Sequence, residues 1–282
     1  MAPRHHDLRP LAVAAACVLA GVAALALAFT QHPSGTPSAR IAPPRIVSTA
    51  QTPSPLVIAA PRRAEPVASP LAAIRAAWRQ ALAANESARV PETWVAGFYP
   101  LYARAQRAYG INWLLLASVH RQETAFSTAP TTYHGRNFAG CCAGPMQFNV
   151  TNGPGRADST WERFRGAFRA AHRPRSYPHP TPRHPSVYDD FDALMAAAHL
   201  LSYEGATTAL DGAAWRAAYD YYGHDLTGVG YADEVLARAI GWSQHGFSVN
   251  GQVDPAMRAA VEAAWGAPVR AQLLADATQR KS

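Results

Sequence analysis

Residues 111–126, INWLLLASVHRQETAF, are a mostly apolar segment with a single glutamate. Within it, Leu116, Val119, Glu123 and Phe126 follow one another at intervals of three, four and three residues. A helix places side chains with this spacing on one face. The stretch therefore predicts a helix whose apolar face carries one carboxylate, while the polar neighbours of that carboxylate point in other directions.

From residue 70 onward, apolar residues recur at intervals of three and four, as they do in amphipathic helices. No run of alternating β-branched residues competes with this pattern, and glycines lie where helix C-caps are expected. Residues 70–282 are therefore predicted to form one mainly α domain. Its other predicted helices cover residues 71–85, 93–110, 189–205, 213–223, 231–246 and 254–266. The expected cap glycines are Gly110, Gly205, Gly223, Gly246 and Gly266.

The N-terminal quarter of the chain has a different composition. Residues 11–30 contain no charged side chain, and as a helix they would span roughly 30 Å, the thickness of a bilayer core. They follow a short n-region, residues 1–10, with Arg4 and Arg9, so the rest of the chain is expected outside the cytoplasm. Both a membrane anchor and a cleaved signal peptide fit, and the length favours the anchor. Residues 31–69, rich in Pro, Ser, Thr and Ala, are predicted to be a disordered linker.

The charge distribution argues against a nucleic-acid partner. The whole chain has 26 basic and 19 acidic residues, a formal charge of +7. Residues 1–69 contain six arginines and two acidic residues, so that +4 of the charge belongs to this quarter and only +3 to the other 213 residues. A basic tail that is exported does not indicate nucleic-acid binding by the helical domain.

Glu123 is the candidate catalytic residue. Burial of a carboxylate on an apolar face disfavours its ionisation, and the negative end of the helix dipole acts in the same direction. Together they favour an acid that keeps its proton near neutral pH, as a general acid must. The alternative is a structural ion pair of Glu123 with Arg121, Arg104 or Arg107.

A second segment, AGPMQF at residues 143–148, offers groups that suit a sugar. Gly144 permits a close approach of the backbone. Met146 offers apolar contact, Gln147 an amide for hydrogen bonds, and Phe148 an aromatic face. These groups match the ring faces, hydroxyls and acetamido groups of an amino sugar.

In this combination the sequence resembles the lytic transglycosylases, and most closely their membrane-bound B branch. The resemblance covers about 145 residues, from roughly residue 101 to residue 246, and its blocks occur in the order that the family has. Thr124 stands where the family usually has the serine of its Glu-Ser motif. The similar blocks are residues 114–124 (the apolar helix ending in Glu-Ser), 143–148 (Gly-x-Met-Gln), 160–161 (Thr-Trp), 189–201 (the Asp-Ala helix) and 219–236 (Tyr-Asn, then Tyr-x-x-x-Val-Leu).

The resemblance implies a lysozyme-like helical fold of the goose-type class. It also implies cleavage of peptidoglycan between N-acetylmuramic acid and N-acetylglucosamine, with a 1,6-anhydro product and with Glu123 as general acid and base. A hydrolytic muramidase and an inactive wall-binding protein are the alternatives. No asparagine follows the tyrosines here, and Tyr221 is preferred over Tyr222 for the family's tyrosine. The implied substrate-binding residues are Thr124, Met146, Gln147, Phe148, Tyr219, Tyr221 and Tyr222.

No cofactor and no metal is predicted. The acidic loop that many relatives have before the Asp-Ala helix is here basic and rich in proline, and its His172, His179 and His184 match no common metal-ligand spacing. The adjacent cysteines 141–142 leave open a vicinal disulfide or two reduced thiols. Peptidoglycan and the membrane are the expected partners.

Overall fold

A computed structural model of the protein describes residues 70–151, 158–166 and 173–280. These ranges are mainly helical, as the sequence predicts. The n-region, the apolar segment and the linker that the sequence predicts over residues 1–69 lie outside the described residues. Of the helices in the described ranges, none has both the length and the apolar character needed to cross a bilayer.

The helices pack around one apolar core that extends over the described ranges. The two strands form a small antiparallel hairpin, in which Cys142 pairs with Asn149 and Ala143 with Phe148. The elements in chain order are α1 (Pro70–Ser87), α2 (Glu92–Ala96), α3 (Tyr99–Tyr109), α4 (Trp113–Thr124), β1 (Cys142–Ala143), β2 (Phe148–Asn149), α5 (Thr160–Phe164), α6 (Asp190–Tyr203), α7 (Gly212–Tyr222), α8 (Leu226–His245), α9 (Pro255–Val261), a π-helical turn (Glu262–Gly266) and α10 (Ala267–Gln279).

The helix predicted over residues 111–126 is α4, and it lies at the centre of the fold. Helices α8, α1, α3 and α6 all pack against it. Every residue from 114 to 124 is buried, so the predicted single apolar face is wrong, and the polar residues predicted to point elsewhere are buried as well. The helix also ends before Phe126, because Ala125, Phe126 and Ser127 take positive φ angles of 49°, 55° and 66°.

The structure differs from the predicted elements at several helix ends and in helix α10, which the sequence did not predict. The predicted helix 93–110 is two helices, α2 and α3. Helix α8 begins five residues earlier than predicted, where the side chain of Asp225 accepts hydrogen bonds from two backbone amides. Gly266 does not end a helix: it has a right-handed φ of −75° in the π-helical turn, and the chain continues into α10. A Cβ at Gly266 would overlap the carboxylate of Asp233, so close packing explains this glycine.

Candidate functional site

Glu123 lies in the last turn of α4, and its side chain is enclosed by protein. Its residue is 9% exposed, and the hydroxyl of Tyr231 on α8 donates a hydrogen bond to Oε1 over 2.6 Å. Within the described ranges we find no ion pair of Glu123 with an arginine. Arg121, its neighbour on α4, instead donates to the main-chain carbonyls of Glu86 and Ala88.

Burial raises the pKa of Glu123 from 4.5 to about 8, and the hydrogen bond from Tyr231 opposes part of this rise. Desolvation disfavours the charged form, whereas a donor to the carboxylate stabilises it. The group is therefore protonated at neutral pH. Its second oxygen, Oε2, accepts no hydrogen bond from any residue that the structure describes. Tyr231 thus orients one carboxyl oxygen and leaves the other available to a substrate.

Sequence reasoning did not single out Tyr231 as a site residue. It is the tyrosine of the Tyr-x-x-x-Val-Leu segment, which was the signal that could have identified it. Tyr222 stacks on it, with ring centroids 4.8 Å apart. Burial and, secondly, neighbouring charges that include Glu123 raise the pKa of Tyr221 and of Tyr222. Tyr221 and Tyr222 therefore lie near the acid.

Tyr219 belongs to a different part of the structure. Its ring stacks on Trp215 at 5.4 Å and contacts His224. The residue is 3% exposed. Burial is the main reason that its pKa is raised, and Glu123 is not among the charges that act on it. Its position favours a packing role for this tyrosine, not contact with a sugar.

The segment at residues 143–148 is fixed against α4 and against the loop before α6. The hydroxyl of Thr124 donates to the carbonyl oxygen of Pro145 over 2.6 Å. Gly144 has a φ of +78°, and a Cβ there would overlap the carbonyl oxygen of Val187. The predicted close approach at Gly144 is thus an approach to this chain's own backbone. Gln147, with a φ of +47°, donates from Nε2 to the Gly144 carbonyl over 2.9 Å.

Three of the predicted sugar contacts are buried side chains. Thr124, Met146 and Phe148 are 1%, 0% and 3% exposed. The Met146 carbonyl accepts a hydrogen bond from the hydroxyl of Tyr221 over 2.6 Å, and the Phe148 ring packs edge-on against the Trp161 ring. These three side chains belong to the core under the site, and they are packed against protein and not exposed to a ligand. Gln147, Tyr221 and Tyr222 are only half-buried.

Helix α1, which precedes the segments that carry the resemblance, lies against the same site. Asn85 donates from Nδ2 to the main-chain carbonyl of Glu123 over 2.6 Å. The ring of Trp78 packs edge-on against Phe138 at 5.0 Å and against Tyr222 at 5.7 Å. Phe138 is 54% exposed. Trp78 and the exposed Phe138 therefore form an aromatic surface that continues outward from Tyr222. Sequence reasoning did not assign this surface a role.

A second buried carboxylate, Asp190, begins α6 and is 0% exposed. The hydroxyls of Ser127 and Tyr133 donate to it over 3.0 Å or slightly more. His120 joins Ser127 through Nε2 at 2.7 Å and the hydroxyl of Tyr102 through Nδ1 at 2.8 Å. Burial raises the pKa of Asp190 to about 7 and lowers that of His120 to about 3. Sequence reasoning missed this network.

Three potential metal ligands lie together at the start of α6, with one donor atom each of His184, Asp189 and Asp192 within 4.8 Å of one another. Arg173 forms an ion pair with Asp192, which also accepts from His184 Nδ1 over 2.9 Å. The other aspartate accepts hydrogen bonds from Tyr177 and Thr181. Because an arginine and neutral donors already satisfy the two carboxylates, the donor set does not fit a cation well.

The other two histidines of this loop are His172 and His179, and His179 is not part of the cluster described for His184. His179 stacks on the ring of Tyr133, with centroids 3.7 Å apart. His172 lies outside the described residues. The sulfur atoms of Cys141 and Cys142 are bonded to each other, so of the two states left open by the sequence the structure has the vicinal disulfide.

The structure thus brings Glu123, Gln147, Tyr221 and Tyr222 into one region, together with the unpredicted Tyr231. In comparisons with known proteins, no family model, no curated protein and no solved structure matches this chain. The geometry of its own residues is therefore the basis for any assignment of function.

Proposed function

We propose that the protein is a peptidoglycan lytic transglycosylase with a lysozyme-like helical fold, acting outside the cytoplasm and tethered to the membrane by its N-terminal segment. One observation supports this above the others. Glu123 is a buried carboxyl group with its pKa raised to about 8, with Oε1 bound to Tyr231 and with no protein donor on Oε2 in the described ranges. A protonated carboxyl group with one open oxygen suits a general acid.

In the proposed reaction, Glu123 donates its proton to the glycosidic oxygen between N-acetylmuramic acid and N-acetylglucosamine. The bond from that oxygen to C1 of the muramoyl residue then breaks, and the N-acetylglucosamine leaves as an alcohol. The resulting carboxylate removes the proton from the 6-hydroxyl of the same muramoyl residue, whose oxygen bonds to C1. The attack is intramolecular, which favours it over attack by water. Glu123 is protonated again at the end, and a 1,6-anhydro ring has formed.

This route needs one carboxyl group, whereas ordinary retaining or inverting hydrolysis needs a second at a defined separation. Burial and the Tyr231 hydrogen bond account for the pKa of Glu123, and no other carboxylate of the described residues contributes to it. Asp190 is fully buried and already bound by Ser127 and Tyr133. The surroundings of Glu123 therefore favour the one-acid route over hydrolysis.

The sugar-binding surface in this proposal consists of side chains that are exposed or half-buried beside Glu123. Gln147 offers its amide, and the rings of Tyr222, Phe138 and Trp78 form a continuous aromatic cluster. Aromatic rings of this kind pack well against the apolar faces of sugars, while amides bind hydroxyl and acetamido groups. The buried Met146 and Phe148 support this surface from the core.

The test is product analysis on purified wall glycan. The full-length protein should release fragments ending in 1,6-anhydro-muramoyl residues, which mass spectrometry distinguishes from reducing ends by the mass of one water. Glu123→Gln should release none, and the matched control Glu92→Gln, an exposed glutamate on α2, should behave like the wild type. Reducing ends would instead indicate a muramidase. Binding of glycan without any cleavage by the wild type would indicate the wall-binding alternative.

A further inference from the structure

A groove of about 890 Å³ lies beside the Glu123 site, between α1, the start of α8 and α10. Its apolar floor includes Leu82, Leu226 and Leu273. Five arginines from three helices line it, and two of them come from α10 and its C-terminal end. The five are Arg75, Arg79, Arg258, Arg270 and Arg280.

The acidic side chains that line this arginine groove are engaged elsewhere. Glu86 pairs with Arg238, a buried arginine of α8. Asp225 accepts hydrogen bonds from two backbone amides at the start of α8. Burial raises the pKa of Glu234, which disfavours its charge. Arg258 is among the charges that act on Glu234, so these acids offset Arg258 in part. Arg75, Arg79 and Arg280 form no ion pair with any of them in the described ranges.

Most of the groove's arginines are available for an external anion. Arg270 forms ion pairs with Asp233 and Glu262. The other four arginines are exposed and form no ion pair within the ranges that the structure describes. The helical domain has a net charge of only +3 over its 213 residues, so a cluster of five arginines in one groove is a local concentration of charge. A surface of this kind binds a ligand with several negative groups.

The groove and the candidate active site share one residue. Tyr231 lines the groove, and its hydroxyl is the donor to Glu123 Oε1. Helix α1 also contacts both places: Arg75 and Arg79 line the groove, and Trp78 packs against Tyr222. A ligand in the groove is therefore adjacent to whatever sugar binds at Glu123.

We propose that the arginine groove binds the carboxylates of the stem peptides carried by the glycan strand that Glu123 cleaves. This inference rests on the proposed function. A stem peptide is attached to the muramoyl residue itself, so it lies close to the cleaved bond, and it combines several carboxylates with alkyl side chains. Guanidinium groups bind carboxylates, and the leucines of the groove floor can pack against the alkyl side chains. A poly(glycerol phosphate) chain has the charges but lacks alkyl side chains that would pack on Leu82, Leu226 and Leu273.

Binding measurements on the full-length protein test this directly. The probes are a muramoyl disaccharide bearing a tetrapeptide, the same disaccharide without its peptide, and poly(glycerol phosphate). Arg75→Gln/Arg79→Gln should weaken binding of the peptide-bearing probe about fivefold, as expected for two exposed ion pairs, and should weaken the peptide-free probe much less. The control Arg107→Gln/Arg183→Gln removes the same charge from two exposed arginines outside the groove and should bind both disaccharides like the wild type.

Equal weakening of both disaccharides, no weakening of either, or equal weakening by the control pair would overturn the proposal. Tight binding of poly(glycerol phosphate) that displaces the peptide-bearing probe would overturn it in favour of a phosphodiester polymer. Cleavage of peptide-bearing and of peptide-free strands separates the groove from the proposed function. Anhydro ends released equally from both strands contradict the groove alone. No anhydro ends from either strand contradicts the proposed function, and the binding measurements then still decide the groove.

Discussion

Glu123 at the end of α4 and Asp190 at the start of α6 are two buried carboxylates with different surroundings. Burial raises the pKa of the first to about 8 and that of the second to about 7. Asp190 is fully enclosed and accepts hydrogen bonds from Ser127 and Tyr133. Glu123 is slightly exposed and accepts one hydrogen bond, on one oxygen. Burial thus raises the pKa of both acids. They differ in their hydrogen bonds: both oxygens of Asp190 accept from protein hydroxyls, whereas only Oε1 of Glu123 does, which leaves Oε2 free to contact a substrate.

The first prediction is that neutralising the two acids has opposite consequences. Glu123→Gln should lower the rate of glycan cleavage about 10³-fold, the size expected for loss of a general acid, and leave the protein folded. Asp190→Asn should lower the free energy of unfolding by about 2 kcal/mol, because an amide has one acceptor oxygen where Ser127 and Tyr133 now donate to two, with little change in activity per folded molecule. Urea unfolding and product yields measure both. Loss of activity in a stable, folded Asp190→Asn protein would contradict the distinction.

The second prediction concerns the segment that connects the two regions. Gly144→Ala should destabilise the fold by about 3 kcal/mol or more, because a Cβ would overlap the Val187 carbonyl close to the start of α6. Gly140→Ala is the matched control, since Gly140 also has a positive φ of 70° but has nothing within 4 Å of its Cβ position. It should cost about 1 kcal/mol. Similar losses in the two variants, measured by urea unfolding, would show that conformation alone explains Gly144.

The third prediction uses pH to compare the acid with its neutral analogue. The folded protein retains the Glu123 proton up to about pH 8, whereas the unfolded chain releases it near 4.5. The free energy of unfolding should therefore fall as pH rises between these values. Glu123→Gln removes this dependence and should be more stable than the wild type by about 4 kcal/mol at pH 8, with no such advantage at pH 4.5. An advantage that does not change with pH would contradict the raised pKa.

The fourth prediction tests Tyr231 as a positioning residue. Tyr231→Phe removes the hydrogen bond that partly lowers the pKa of Glu123, so the pKa should rise further. Cleavage should fall about tenfold, the value of one hydrogen bond to a charged group, and the alkaline limb of the pH–rate profile should move to higher pH. Tyr219→Phe, whose ring packs against Trp215, is the control and should leave the profile unmoved. A slower Tyr231→Phe protein with an unshifted profile would indicate a purely structural role.

The fifth prediction has the smallest expected effect. Thr124→Val removes the hydroxyl that donates to the Pro145 carbonyl and should cost about 1 kcal/mol of stability. Thr124→Ser keeps the donor and should cost less. Reversal of this order in urea unfolding would mean that the methyl group of Thr124, and not its hydroxyl, fixes residues 143–148 against α4.

The features that the sequence predicted correctly depend on contacts close in the chain. The α4 helix and the burial of Glu123 follow from apolar spacing within 16 residues, and most other helices follow from the same periodicity. A buried acid stands out in such a pattern because only 16% of the residues are charged.

The missed features depend on contacts between distant residues. Tyr231 is 108 residues from Glu123 in the chain, and the network at Asp190 joins residues from three separate segments. Gly266 has the local signature of a helix cap, but its cause is the approach of Asp233, which no local pattern shows. As a result α10 was missed, and with it one wall of the arginine groove.

Titration of the Glu123 carboxyl group itself shows whether the folded protein keeps this proton at neutral pH. Carbon-13 NMR of the protein with labelled glutamate side chains, with the Glu123 signal assigned by its absence in Glu123→Gln, gives the pKa in the folded protein without any assumption about substrate. A pKa close to 8 is expected, with protonation essentially complete at pH 6. A pKa between 4 and 5, the range of an ordinary glutamate, would contradict the account of Glu123 as an acid that holds its proton at neutral pH.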